Sequence, residues 1–399
     1  MTAAALPEPA RRVIAAAALS GLADGIRVTA MPLLAAASTG DPFWVSAAFV
    51  AGQVPWLLLG PTVGALADRT DRARLLRRAT AARVALLTSL AVLTATGTSS
   101  IGLVLAASFV LGVGEVLSDT VTAAFLPSLV DDQHLERANG RLVASEIVGN
   151  ELVGPAVGGM LFAVAAALPF FTNAGLLTVA LVVLATVPLV ARPTASPGAG
   201  AGGDGPAAGW RSIRSRPLLR TITWTSALLA AVDAAWFALL VLIADEQIGL
   251  GAAGFGLLLA LGAVGGLAGA ALGERLQPAR IRVSAGAITA GMGLSLVVFA
   301  AAPAIVTGGL TVIVTSGGFA VWNVAVASAR QRATPTELLG RVTATFRTLV
   351  VIGGIGGALV GGAVASRTSP LAVVLAAGLV LLTATPFVVR GFLHRTQPP

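Results

Sequence analysis

Apolar runs of about 20 residues recur along the whole chain, and this repetition narrows its possible folds more than any other feature. A helical segment of that length crosses the hydrocarbon core of a bilayer. Of 399 residues, 56% are hydrophobic and 11% charged, whereas a soluble domain carries roughly 25% charged residues. The expected fold class is therefore an all-α polytopic membrane protein.

Twelve transmembrane helices are expected, at about 13–37, 43–67, 79–97, 101–125, 142–166, 169–191, 220–243, 253–273, 281–301, 304–328, 341–365 and 370–390. An even number places both termini on one side. Arginine placement says which side. Together with the span ends that adjoin them, the segments before span 1 and after spans 2, 4, 6, 8, 10 and 12 hold 22 of the 26 arginines, and the opposite loops hold only Arg367. The positive-inside rule then places both termini in the cytoplasm of a multi-pass protein of the cell inner membrane. The arginine pair Arg11-Arg12 ahead of span 1 resembles the start of an export signal, but Asp24 and Arg27 interrupt the apolar core such a signal needs.

Several chemistries lack their residues. All 26 basic side chains are arginine, and the chain has no lysine, tyrosine or cysteine. A GK[ST] phosphate loop, a Schiff base, a thiol nucleophile and a thiolate metal site are thereby excluded. The two histidines, His134 and His394, fall in an expected loop and in the C-terminal tail, away from any intramembrane metal or triad site. No enzymatic role, cofactor or metal is expected. The net charge of +8 follows membrane topology rather than a patch, so nucleic acid is not an expected partner.

The longest hydrophilic stretch, RPTASPGAGAGGDGPAAGWRSIRSRPLLR, separates spans 6 and 7. Its Pro/Gly/Ala-rich first part reads as a flexible linker, and its arginine-rich second part is expected along the inner membrane surface. The layout is a six-helix bundle over 1–191, a cytoplasmic linker over 192–219 and a second six-helix bundle over 220–399. A faint repeat agrees. LERANGRL before span 5 and TELLGRV before span 11 share a Gly-Arg pair, Gly140-Arg141 and Gly340-Arg341, where duplicated halves should correspond.

Charges inside the spans cost free energy and mark function or pairing. They are Asp24 and Arg27 in span 1, Glu115 and Asp119 in span 4, Glu146 and Glu151 in span 5, Asp233 in span 7 and Arg347 in span 11. Arg83 in span 3 lies close enough to the span's end to snorkel to the interface. Spans 6, 9 and 12 carry none. Asp24 and Arg27 share a helix face, as do Glu115 and Asp119. Trp236, Trp322 and Asn323 are interior candidates for substrate contact. Trp44 reads as an interfacial anchor.

The motifs GALADRTDRARLL after span 2 and GPAVGG in span 5 give the chain a whole-length resemblance to the major facilitator superfamily. Gly64, Asp68, Arg69 and Arg72 match its cytoplasmic signature, which implies a conformational gate. Asp71 stands where the signature has glycine, a position that aspartate tolerates in a left-handed turn. Gly154, Pro155, Gly158 and Gly159 resemble the helix-packing motif of antiporter-type members, and Pro155 is expected to bend span 5. The combination with LERANGRL and WNVAVASARQRATPTELLGRV is most similar to the bacterial exporters that include the enterobactin exporter, alongside drug efflux members. Unlike drug/proton antiporters of the superfamily, span 4 has no arginine. The resemblance also implies that spans 3, 6, 9 and 12 face lipid around a central cavity.

The expected function is secondary active export of a small amphipathic compound, drug-like or siderophore, by alternating access in exchange for protons. Asp24, Arg27, Glu115, Asp119, Glu151 and Asp233 are the proton-coupling or cavity candidates. An unpaired carboxylate in a low-dielectric site can take a proton. In a purely structural alternative, Asp24 and Arg27 neutralise each other or bond Glu115. An importer or a lipid flippase of the same fold is the alternative function. A non-transporting receptor or scaffold has less support, because no sizeable extramembrane domain is present. The resemblance favours a monomer in the lipid bilayer.

Overall fold

The computed structural model describes residues 6–188, 205–275 and 281–392, apart from the side chains at 60, 61, 65, 68, 205–207, 281, 282, 336 and 337. The described residues are helical throughout, with no strand. The helices are α1 (Glu8–Ser38), α2 (Pro42–Arg69), α3 (Arg72–Ala95), α4 (Ile101–Phe125), α5 (Asp132–Glu146), α6 (Gly154–Val164), α7 (Leu168–Ala185), α8 (Gly205–Ser215), α9 (Pro217–Phe237), α10 (Leu240–Leu242), α11 (Gly251–Arg275), α12 (Ile281–Ala301), α13 (Ile305–Ala333), α14 (Thr336–Ala365) and α15 (Pro370–Gly391). Twelve helical stretches among them are long and apolar enough to cross a membrane. They correspond one to one with the twelve expected spans.

Local chemistry sets the helix starts. Proline, whose missing N–H costs nothing in a first turn, opens α7, α9 and α15. Ser100 and Ser369 cap α4 and α15 by accepting backbone N–H bonds. Asp71 does the same for α3, accepting from the Arg74 N–H at 2.9 Å. Its φ of −64° is ordinary, so the left-handed turn expected at this signature position is replaced by a helix cap. At the other ends, arginines serve orphan carbonyls. Arg77 Nε donates to Leu184 O at 2.9 Å at the end of α7, and Arg216 Nη1 to Ala333 O at 2.6 Å at the end of α13.

Three further expectations change. Helix α5 begins at Asp132, so His134 lies in its first turn rather than in a loop. His394 and linker residues 192–204 lie outside the described residues. The linker's second part forms α8, which packs on α9 and α14. A methyl group on Gly209 would stand 2.6 Å from the Arg341 carbonyl oxygen, so this helix is docked on protein and not simply laid along a membrane surface. The span holding Pro155 changes at a wide π-helical turn, Ile147–Val153, just ahead of the proline. Proline clashes with the carbonyl four residues back, and a wide turn relieves that clash.

The chain forms two compact units. The first comprises Met1–Gly40, Ala48–Pro197 and Gly251–Ala260, and the second Asp41–Ala47, Gly198–Leu250 and Leu261–Pro399. In the first, α1 runs through the interior against α4, α5, the π turn, α6 and α7. Glycines permit the approach: a Cβ on Gly25 would meet the carbonyl of Gly149 at 2.6 Å, and one on Gly158 that of Ile26 at 2.6 Å. Gly154 closes on Gly25 in the same seam, and Gly159 on Gly256. In the second unit, Gly353, Gly357 and Gly361 of α14 lie against the backbone of Ala227, Ala231 and Ala235 of α9. Helix α11 meets α13 through one face of small residues. Gly266 faces open space, and the row meeting α13 is Gly262, Gly265, Gly269 and Gly273, at the i, i+3, i+4 spacing of one helix face.

Candidate functional site

Helix α1 carries Asp24 and Arg27 one turn apart, facing α3 and α4. Both are buried, at 4% and 7% exposure. Arg27 Nε lies 3.4 Å from Asp24 Oδ1, and its Nη2 donates to Glu115 Oε2 of α4 at 2.5 Å. One guanidinium thus bridges two carboxylates from two helices.

A second guanidinium reaches the same place. Arg83 of α3 is 2% exposed and pairs with Asp24 Oδ1. Its Nη1 donates to Ser20 Oγ at 3.0 Å and lies 3.5 Å from Ser118 Oγ. The expectation that Arg83 snorkels to an interface is therefore corrected. One carboxylate and two serine hydroxyls give its charge a better solvent than the bilayer edge. The path is opened by Gly114 of α4, where a Cβ would stand 2.6 Å from Arg83 Cγ and 2.7 Å from Cδ. Sequence reasoning missed Arg83. The available signal was an arginine in span 3 with a glycine-interrupted span 4 after it.

The resulting chain, Arg83–Asp24–Arg27–Glu115, ties α1, α3 and α4 together. Further bonds fix α1 in place: Thr29 Oγ1 donates to Pro155 O at 3.1 Å, and buried Asn173 of α7 donates to Ala23 O at 2.6 Å.

A cavity of about 260 Å³ opens beside the chain, within the first unit. Its charged lining is Asp24, Glu115, Asp119 and Glu146, and its apolar lining includes Trp56, Leu76 and Leu142. Neither arginine lines it; the cations stand behind the carboxylates. Asp119, one turn beyond Glu115 on α4, is exposed to this space. The structure thus brings together Asp24, Arg27, Glu115 and Asp119 of the expected residues, with Glu146 beside them. Such a site can hold or exchange charge.

Comparison with known proteins places this site in a family. The model of the Major Facilitator Superfamily matches residues 13–358. This chain belongs to that superfamily. An uncharacterized MFS-type transporter of Mycobacterium bovis and another of Mycobacterium tuberculosis are each 32% identical over 108 residues, 27% of this chain. That match spans about a quarter, 24%, of each relative's own length. Among solved structures, a bacterial homologue of the human lysosomal transporter Spinster superposes with a TM-score of 0.74 at 14% identity, over 98% of both chains. The nucleoside transporter NupG gives 0.77 at 10% identity, over 98% of this chain and 100% of that one. A bacterial homologue of the iron transporter ferroportin gives 0.71 at 17%, over 96% and 98%. At these identities the likeness shows the shared fold, that of a major facilitator transporter.

The remaining expected residues lie apart from the cavity wall. Glu151 is exposed in the π turn and Asp233 half-buried in α9, where it accepts from Trp236 Nε1 at 3.4 Å. The indoles of Trp236 and Trp322 are 1% exposed. Trp322 Nε1 donates to Ser226 Oγ at 2.9 Å, and its ring meets Phe392 edge-on. Asn323 beside it is exposed. In the expected gate, Gly64 has open space where a side chain would grow, Arg69 is exposed and Arg72 half-buried; the Asp68 side chain lies outside the described residues.

Proposed function

We propose that this major facilitator transporter exports a small amphipathic compound, drug-like or siderophore, in exchange for protons. The observation that carries the reading is the carboxylate-lined cavity beside the Arg83–Asp24–Arg27–Glu115 chain. Burying four charges in a membrane-spanning unit is costly, and a chain that links three helices earns that cost when its partners change during transport. Arg27, holding one carboxylate on its own helix and one on α4, is placed to exchange partners as helices move. A carboxylate released from a guanidinium in a dry site takes a proton, which couples proton entry to substrate exit.

On this reading the halves over 1–191 and 220–399 alternate access by rocking, the glycine seams let helices slide within each, and Gly64, Asp68, Arg69 and Arg72 form the conformational gate. Both termini face the cytoplasm, in accord with the arginine distribution. Asp233 and Asn323 supply polar groups in the second half. The transporter works as a monomer.

The test uses everted membrane vesicles with an imposed proton gradient and a fluorescent pH probe. A panel of siderophores, macrolides and cationic dyes is added to wild type and to Arg27→Gln. Compound-triggered proton release in the wild type, lost in the variant, is the expected result. Absence of release with every compound, together with accumulation of any of them in intact cells, would replace export by import.

A further inference from the structure

The four carboxylates on the cavity wall are not equivalent. Asp24 Oδ1 is shared by two guanidiniums, and Glu115 takes the Arg27 Nη2 donor at 2.5 Å. Two positive and two negative charges therefore close among themselves. Asp119 is outside that closed set. It sits one turn along α4 from Glu115, a rise of about 6 Å, and among the described residues no side chain or backbone donor bonds to it.

The charges that reach Asp119 come from four helices. They are Asp24 of α1, Arg83 of α3, Glu115 of its own helix and Glu146 of α5. Three are negative, and the single cation is already bound to Asp24. The cavity residues from α2 and α7, Trp56, Ala180 and Leu184, bring no charge. Geometry thus separates Asp24 and Glu115, held by guanidiniums, from Asp119 and Glu146 on the open wall; of these two, Asp119 is on α4 beside the chain, whereas Glu146 comes from α5, a helix the chain does not tie.

We infer that Asp119 is the residue that takes up and releases the transported proton, while Asp24 stays ionised as the fixed anchor of the arginine chain. Arg83 is then a positioning residue: by neutralising Asp24 from α3 it leaves Asp119 as the exchanging group. The inference rests on the proton-coupled reading for its role in transport, but the proton site has its own test.

The full chain, purified and returned to liposomes of phosphatidylethanolamine and phosphatidylglycerol, is titrated with acid while the infrared C=O stretch of protonated carboxyl groups is followed. The wild type is expected to show a carboxyl band that appears on acidification and that substitutions at position 119 alone move. Asp119→Asn removes it, Asp119→Glu restores a displaced band, and Asp24→Asn, Glu115→Gln and Glu146→Gln keep it. The assignment is overturned if the wild type has no such band, if Asp119→Asn retains it, or if Asp24→Asn alone abolishes it. The vesicle measurement separates the two readings. Proton release in wild type and Asp119→Asn alike removes the assignment and leaves proton-coupled export standing. A band lost in Asp119→Asn, with no compound moving protons, leaves the proton site standing and removes export.

Discussion

In the first unit the fully buried polar residues include Asp24, Arg27 and Arg83; in the second, among the described residues, they are serines and threonines throughout. Some of these hydroxyls bond within their own helix. Thr223, Thr289 and Thr315 each donate to a carbonyl one turn back on their own helix, so their bonds survive when one helix slides against another. The ionic chain does the opposite. Each of its links except Asp24–Arg27 crosses between helices, and a shift of α1, α3 or α4 changes its energy. Both units are packed through close backbone approach at glycines; the first adds a buried ionic chain whose energy depends on how three helices stand, and among the described residues the second has no counterpart to it.

The comparison can be broken most directly at Arg83. Arg83→Gln should cost about 3–5 kcal/mol, the usual penalty for stranding one member of a buried pair, seen as a lowered melting temperature in detergent. Adding Asp24→Asn should return much of the loss; strict additivity of the two single changes would mean no chain exists. The second unit's counterpart is Gly357→Ala. Its new Cβ meets the Ala231 backbone, which cannot swing aside, and a loss of about 1–3 kcal/mol is expected. Gly114→Ala places its methyl group against the flexible stem of Arg83, so its stability loss should be the smaller of the two. Trp322→Phe removes the bond to Ser226 and should cost about 1 kcal/mol, without altering compound-triggered proton release in vesicles. Smallest is Gly356→Ala or Gly266→Ala. Neither glycine has a neighbour within 4 Å of a new Cβ, so each variant should melt at or slightly above wild type, by up to about 1 kcal/mol.

Much of the architecture was legible because hydrophobic length is a one-dimensional property. The twelve spans are read from runs of residues, and the helices extend them mainly at the ends where arginines continue the helix as interfacial side chains, as at Arg72–Arg78 and Arg330–Arg332. The site was legible only in part. Asp24 and Arg27, or Glu115 and Asp119, are neighbours along one helix, and spacing alone puts each pair on a face. Arg83 reaches Asp24 through a gap left by Gly114 on a third helix, and no spacing rule encodes which faces of three helices meet. The glycine row of α11 is set by its partner in the same way. Two glycines four apart define a stripe, but the partner helix selects Gly265 and Gly269 and leaves Gly266 outside. Aspartate at position 71 was read through its backbone tolerance, whereas its side-chain oxygen found a use as a cap.

The π turn at Ile147–Val153 has a bearing on how this chain can change. There the Gly154 N–H bonds the carbonyl of Gly149, five residues back, so the helix holds one residue more than a regular turn of that height. An α-helix advances 100° per residue at 3.6 residues per turn. A residue inserted without a wide turn would rotate everything beyond it by that angle. Here the extra residue is taken up inside the turn, so Glu146 on one side keeps its place on the cavity wall while Gly154 and Gly158 on the other keep theirs against α1. Deleting one residue there, such as Val148, would let regular winding resume with both faces in phase: the span can gain or lose one codon at this point without moving its carboxylate or its glycines.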